Sequence, residues 1–394
     1  IIVLVMMLPA FYLGSRAVNI LMVDKQEIEQ ARYVSQLVTG GEAFKRQKPE
    51  DWQIEIYDTK TRLDAINKEL QQTPDDKAVL LKEQSDLQDK WEKYAQVEIS
   101  PTYYVWGIVI MALVTGIYTV VGGLRAVIIT DVIQSVLILL GMLIVAWCTF
   151  NHELIGSWAT MVEFDENKLE ALVQGKNLLH LYKPSTDPKF PWTGVLSGLL
   201  VLHFYYWGAN QFIVQRALSA RSLGDARTGI ITAGFFKLLI PFVSIGTGIA
   251  AYYLFQQLLP GVRLDADTAF PMLMREVVAP LAIPGLVGLV AAGLIGAILS
   301  SVDSMMNSAA TLITFDMYKR FINPKAQDEQ LVRMGKLIII GLVMGSAALT
   351  IFIFDPNTKE PFMQYVITHQ SRLVAGIVAA FLLGMLWSGA TAAG

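Results

Sequence analysis

The residues of this 394-residue chain best suited to chemistry lie in A-I-L-S-S-V-D-S-M-M-N-S-A-A-T-L-I-T, which starts at Ala297. Ser300, Ser304, Asn307, Ser308 and Thr311 recur at i, i+4, i+7, i+8 and i+11, which is one polar stripe on a helix. Asp303 sits beside that stripe. A carboxylate among hydroxyls in a water-poor place suits a hard cation or a proton. The plain alternative is helix packing through interhelical hydrogen bonds. Asp131, Gln134 and Ser135 in T-D-V-I-Q-S could line a face toward the stripe. Equally, Asp131 could be an N-terminal carboxylate stabilised by its helix dipole. A second cluster combines His203, Tyr206, Trp207 and Asn210 at i, i+3, i+4 and i+7. A ring-shaped polar solute would stack on such a face and find donors there. Tight packing with internally satisfied polar tips would use the same residues. Lys237, in G-F-F-K-L-L-I-P-F, could snorkel to the membrane surface or donate to a solute.

The elements that must position these groups are membrane helices. Apolar residues make up 54% of the chain and charged residues 16%, with mean hydropathy +0.46. That excludes disorder, a fibrous protein and a disulfide scaffold. The net charge of −3 offers no basic field for nucleic acid, and the single Cys148 supports no disulfide or Cys-rich metal site. No nucleophile triad or phosphate loop points to an enzyme. About 20 apolar residues span the hydrocarbon layer as a helix. Eight such runs occur, near 1–22, 103–121, 126–149, 192–215, 228–258, 280–318, 334–354 and 363–388. Each must be helical to satisfy its own backbone in lipid. The chain opens inside an apolar run without Met, so it reads as a piece with helices upstream.

Loop charge sets the orientation. Arg125, Arg216, Arg221, Arg227, Lys319, Arg320, Lys325, Arg333 and Lys336 give one side 9 bases against 3 acids. The short loops 150–191, 259–280 and 355–361 carry 7 bases against 11 acids. The basic side is therefore cytoplasmic, and residues 23–101 are external. Within them, 24–98 hold 17 acids and 12 bases. Leu63, Ile66 and Leu70, then Leu80, Leu87, Trp91 and Tyr94, form two narrow helical stripes. Thr73-Pro74-Asp75-Asp76 supplies a turn between them. These features predict a separate helical hairpin, preceded by a shorter helix at 25–38. It is a solvated spacer, a lid or a surface for a partner of unknown kind. Of the other charges within spans, Arg16 is expected to snorkel, and Asp316 to form a surface ion pair with Lys319 and Arg320.

Several stretches are similar to the sodium:solute symporter family. They are Y-T-V-V-G-G-L-R-A at 118–126, T-D-V-I-Q at 130–134, Y-Y-W-G-A-N-Q-F-I-V-Q-R-A-L-S-A at 205–220 and A-I-L-S-S-V-D-S-M-M-N-S-A-A-T-L at 297–312. Within the family the chain most resembles bacterial sodium/galactose and sodium/glucose cotransporters. The resemblance implies an all-α polytopic membrane protein with an inverted-repeat, amino-acid/sodium symporter-like core. That core would be partial, with eight membrane helices. Residues 1–22 would be core helix three and 102–394 would hold core helices four to ten, with the external hairpin between them. It further implies a sodium-driven importer of a small polar solute, most simply a monosaccharide, in the cell membrane. The same fold carrying an anionic solute such as sialic acid, or a non-transporting sensor that uses the hairpin, stays open.

The resemblance also assigns residues. Ala297, Ser300 and Ser301 match half of the family's conserved sodium site. Asp131 and Ser304 match a second sodium site, where Asp303 replaces a hydroxyl residue. Tyr206 matches the aromatic gate beneath the sugar, with Trp207 beside it, and Lys237 matches a sugar-contacting lysine. His203 stands where the galactose transporters have Asn, and Ile367 where they have Gln. Losing an amide at a hydroxyl-reading site can change solute preference by orders of magnitude. Arg372, near Thr368 and His369, could grip a carboxylate.

Overall fold

The computed structural model describes residues 2–22, 25–40, 49–71, 77–97, 99–167, 178–179, 183–187, 191–262, 264–357, 362–389 and 391. The predicted turn at 73–76 lies outside them. Among the described residues the regular structure is helical, with no β-strand. The helices that matter here are α1 (Ile2–Met22), α2 (Lys25–Val38), α3 (Asp51–Gln71), α4 (Lys77–Tyr94), α5 (Pro101–Phe150), α6 (Trp158–Asn167), α7 (Gln211–Leu218), α8 (Leu223–Leu258), α9 (Leu286–Leu312), α10 (Asp328–Ile353) and α11 (Phe362–Leu386). Among the described residues six helical stretches are long and apolar enough to cross a membrane: Pro101–Gly123, Ala126–Phe150, Leu223–Leu258, Leu286–Ile322, Asp328–Ile353 and Val366–Leu386. The predicted run at 192–215 is instead divided. It comprises Trp192–Gly194, Val195–Leu199, Leu200–Phe204 and Tyr205–Ala209, of which the second and fourth are π-helical, and then α7.

Gly123 divides α5 with φ 58° and ψ −162°, a conformation open to Gly because it lacks Cβ. The halves then run in opposite directions along α9. Tyr118 of the first half meets Leu299 and Asp303. In the second half, Gln134 lies against Gly296, Leu137 against Gly293 and Gly141 against Val290. A Cβ on Gly293 would stand 2.6 Å from the Leu137 carbonyl oxygen, so glycine lets the two backbones touch. On the other side α1 runs antiparallel to the first half of α5. The Ser15 hydroxyl donates to the Tyr104 carbonyl, and Asn19 donates to that of Ser100 at 2.7 Å. Helix α10 closes this group, with Val343 beside Gly116 and Ser346 donating to Met7 Sδ at 3.7 Å. The result is a helical block with α9 at its centre.

Arg16 does not snorkel. It is 2% exposed and donates to Asp265 at 2.5 Å, Asp267 at 3.3 Å and the Tyr12 hydroxyl at 2.8 Å. A buried guanidinium with two carboxylates in reach gains more from them than from a long reach to water. Asp316 is exposed, and its neighbours lie over rings instead: Lys319 over Phe315 at 5.6 Å and Arg320 over Phe321 at 5.3 Å.

Helices α3 and α4 bury Ile56, Leu63, Ile66 and Trp91 between them. Exposed pairs join their outer faces, Arg62 to Glu83 and Lys90 to Glu55, each at 2.8 Å. The Lys90 ammonium holds the Glu55 carboxyl below its ordinary value. Helices α2, α3 and α4 pack mainly on one another, and the insert meets the rest of the chain at a few points. Tyr33, Ile56, Leu63 and Trp91 belong to the same buried cluster as Met7 and Val290. Arg32 of α2 also pairs with Glu276 at 2.8 Å, and Val38 packs on Gly261.

Candidate functional site

The stripe on α9 is engaged nearly end to end. Val302 to Ala310 are all buried. Asp303, 0% exposed, accepts from the Tyr118 hydroxyl at 2.5 Å and from the Ser304 hydroxyl at 3.1 Å. Asn307 donates to the Asp303 carbonyl at 3.1 Å, and Thr311 to that of Asn307 at 2.8 Å. Ser308 is buried with its hydroxyl unpartnered.

Asp131 faces this stripe. One carboxylate oxygen accepts from the Ser300 hydroxyl. The other accepts from Arg216 at 2.6 Å, and the same guanidinium nitrogen contacts the Ser304 hydroxyl. Gln134 also turns toward α9, its Cγ 3.0 Å from where a Gly296 Cβ would be. Ser135 does not: it is exposed and donates to the Val132 carbonyl at 2.8 Å. Asp131 therefore does more than cap a helix end. A turn away, the Ser301 hydroxyl donates to the Ala297 carbonyl at 3.0 Å. Ala297 and Ser300 are half-buried and Ser301 is exposed. Hydroxyl and carboxylate oxygens of Ser300 and Asp131 thus meet across α5 and α9, and oxygen is the donor type that a hard cation takes. Among the described residues no group of three or more His, Cys, Asp or Glu side chains could hold a metal ion.

Arg216 is the participant that charge counting assigned to a loop. It lies five residues after Gln211 in Q-F-I-V-Q-R, at the end of an apolar run, a place that by itself marks a membrane margin. The break sets its position. The Asn210 N–H donates to the Tyr205 carbonyl at 2.8 Å, five residues back, and Asn210 is extended at ψ 116°. Helix α7 restarts there and carries Arg216 to α9.

The aromatic cluster is looser. Tyr206 packs edge-on against Trp207 at 5.1 Å and Phe212 at 5.8 Å between centroids. Lys237 Nζ lies 5.1 Å from the Trp207 centroid. His203, Trp207 and Lys237 are exposed, whereas Asn210 is 3% exposed with its Nδ2 unpartnered. The four residues do not keep regular α spacing, because the π turn over Tyr205–Ala209 inserts an extra residue before Asn210. Tyr205, one residue from the cluster, turns the other way and joins Leu202, Val374 and Val378. Ile367 packs on that second cluster, and Arg372 is exposed.

The family model for the sodium:solute symporter family matches residues 96–394. The chain is 33% identical over 312 residues to a sodium/glucose cotransporter of Vibrio parahaemolyticus, covering 74% of this chain and 54% of that protein. It is 31% identical to a sodium/mannose cotransporter of Bos taurus, covering 71% of this chain and 49% of that protein. It is 29% identical to sodium/glucose cotransporter 1 of Oryctolagus cuniculus, with 75% and 47% covered. The chain thus spans about half the length of the curated relatives it matches. Among solved structures, a Na+-coupled sialic acid symporter in a substrate-bound outward-open state shares the fold. Its TM-score is 0.57 at 19% identity, covering 98% of this chain and 78% of that one. With the model match covering most of its length, this chain belongs to the sodium:solute symporter family.

Proposed function

We propose that the protein carrying this chain is a sodium-driven symporter that imports a small polar solute, a monosaccharide, across the cell membrane by alternating access. The observation that carries the reading is the meeting of Asp131 with Ser300 across α5 and α9, with Arg216 bridging Asp131 to Ser304, inside a block of membrane-length helices. Charge within a membrane helix costs at least ~2.5 kcal/mol, so it is kept where it works. In this reading Ala297, Ser300 and Ser301 hold one sodium, and Asp131, Asp303 and Ser304 hold a second. Tyr206 is the gate, and His203, Trp207, Asn210 and Lys237 contact the solute. The insert at 23–101 faces outward.

Coupling follows from differential affinity. Sodium would favour the outward-open state, and solute would then let the bundle close outside and open inside. Each sodium supplies about 2.3 kcal/mol per 100 mV, and a tenfold gradient adds about 1.4 kcal/mol. One sodium then supports a solute ratio of roughly 500-fold, and two on the order of 10⁵.

A second reading, an anionic solute such as sialic acid, is favoured by exposed Arg372, which could pair with a carboxylate. Proteoliposomes with an inward sodium gradient and a panel of labelled sugars and sugar acids separate the two. Monosaccharide uptake that survives Arg372→Ala supports the first. Uptake confined to acids and lost in Arg372→Ala supports the second.

A further inference from the structure

Arg216 links the two parts of the site. Its guanidinium contacts Asp131 and Ser304, and its second terminal nitrogen reaches back to the Phe212 carbonyl at 3.5 Å. Phe212 is the residue against which the Tyr206 ring stands. The Arg216 side chain is 36% exposed while Asp131 is 15% exposed, so the arginine reaches inward from a wetter margin. A guanidinium carries the same charge as Na+ and uses the same oxygens. Both oxygens of Asp131 are already taken, one by Ser300 and one by Arg216. A sodium ion arriving between Asp131 and Ser304 would meet a like charge within a few ångströms, which disfavours joint occupancy.

We propose that Arg216 is a tethered cation that holds the Asp131–Ser304 pair in the absence of sodium, so that sodium entry there requires Arg216 to leave and releases α7 together with the Phe212–Tyr206 contact. The inference rests on the sodium-symport reading and adds a positioning residue to it. The arginine acts as a resident competitor. Sodium affinity at this pair is lowered by the stability of the ion pair it must break, and the displaced arginine carries the change to the aromatic gate.

Radiolabelled sodium binding to the purified protein, without solute, reads the competition directly. Arg216→Gln should raise the affinity of the Asp131-dependent component at least tenfold. Arg216→Lys, which keeps the charge, should stay nearer the parent. Asp131→Asn should abolish that component. Unchanged or weaker binding in Arg216→Gln would overturn the inference. A second readout needs no change at Arg216. With Cys148 replaced by Ser, spin labels at Leu218 of α7 and Ile133 of α5, both well exposed, report their separation. Sodium should shift that distance, and Asp131→Asn should remove the shift. A distance indifferent to sodium overturns the inference even if Arg216→Gln fails to fold. If the parent protein binds no sodium at all, the symport reading falls with it. If the parent binds sodium and Arg216→Gln does not differ, only the role of Arg216 falls.

Discussion

The oxygen cluster between α5 and α9 and the aromatic cluster around Tyr206 are built in opposite ways. In the first, Asp303, Ser304 and Ser308 are at most 1% exposed, and α9 meets α5 backbone to backbone at Gly293. In the second, Trp207 is 46% exposed, and Lys237 touches it through its ring face. The difference teaches where rigidity is invested. If the first holds a small hard ion, as proposed, selection by fixed oxygens at fixed spacing needs such a close-packed frame. If the second takes the solute, as proposed, it needs a side that can move, and the π turn and the break at Asn210 would provide one.

That contrast can be broken deliberately. The largest effect should come from the frame. Gly293→Val drives a side chain against the Leu137 backbone, which cannot yield as a flexible side chain would. A loss of about 3 kcal/mol or more is expected, visible as a clear drop in melting temperature and in folded yield. Tyr118→Phe removes a donor from buried Asp303. It should cost about 1.5–3 kcal/mol and alter sodium dependence without changing which solute is taken. On the other side, Trp207→Ala should leave the melting temperature within the range of surface variants, about 0.5 kcal/mol, while raising the KM for solute severalfold. If it destabilises as much as Gly293→Val, the loose side is not loose. The smallest effect should be at Lys90→Ala, on the exposed face of the α3–α4 pair, where exposed ion pairs contribute little. No measurable change in melting temperature or uptake is expected there.

The same contrast explains what the sequence made legible. The α9 stripe could be read because a helix repeats faithfully and because a carboxylate among apolar residues has few reasons to be there. Asp131 facing Ser300 is one of the two readings that T-D-V-I-Q-S leaves open, and Ser135 of the same stretch faces away. The break at Gly123 shows itself as the gap between the apolar runs near 103–121 and 126–149, and the insert's helices show themselves in their stripes. Arg216 did not show itself, since a base at the end of an apolar run ordinarily marks a cytoplasmic margin. Its inward turn depends on a π turn that no regular periodicity announces. Arg16 was misjudged for a related reason. Its partners, Asp265 and Asp267, lie some 250 residues away, and their approach is decided by the packing of α1. The aromatic cluster was legible by residue type but not by shared face, because one extra residue in the turn shifts everything after it.

The most direct test is to count ions and solute together in proteoliposomes holding the purified protein, with labelled sodium and a labelled monosaccharide in the same vesicles. Coupled symport predicts that the two fluxes rise together under an inward sodium gradient, keep a fixed ratio as the gradient is varied, and both collapse when it is dissipated. Sugar entry that proceeds equally well with potassium in place of sodium, or sodium entry indifferent to sugar, would contradict it.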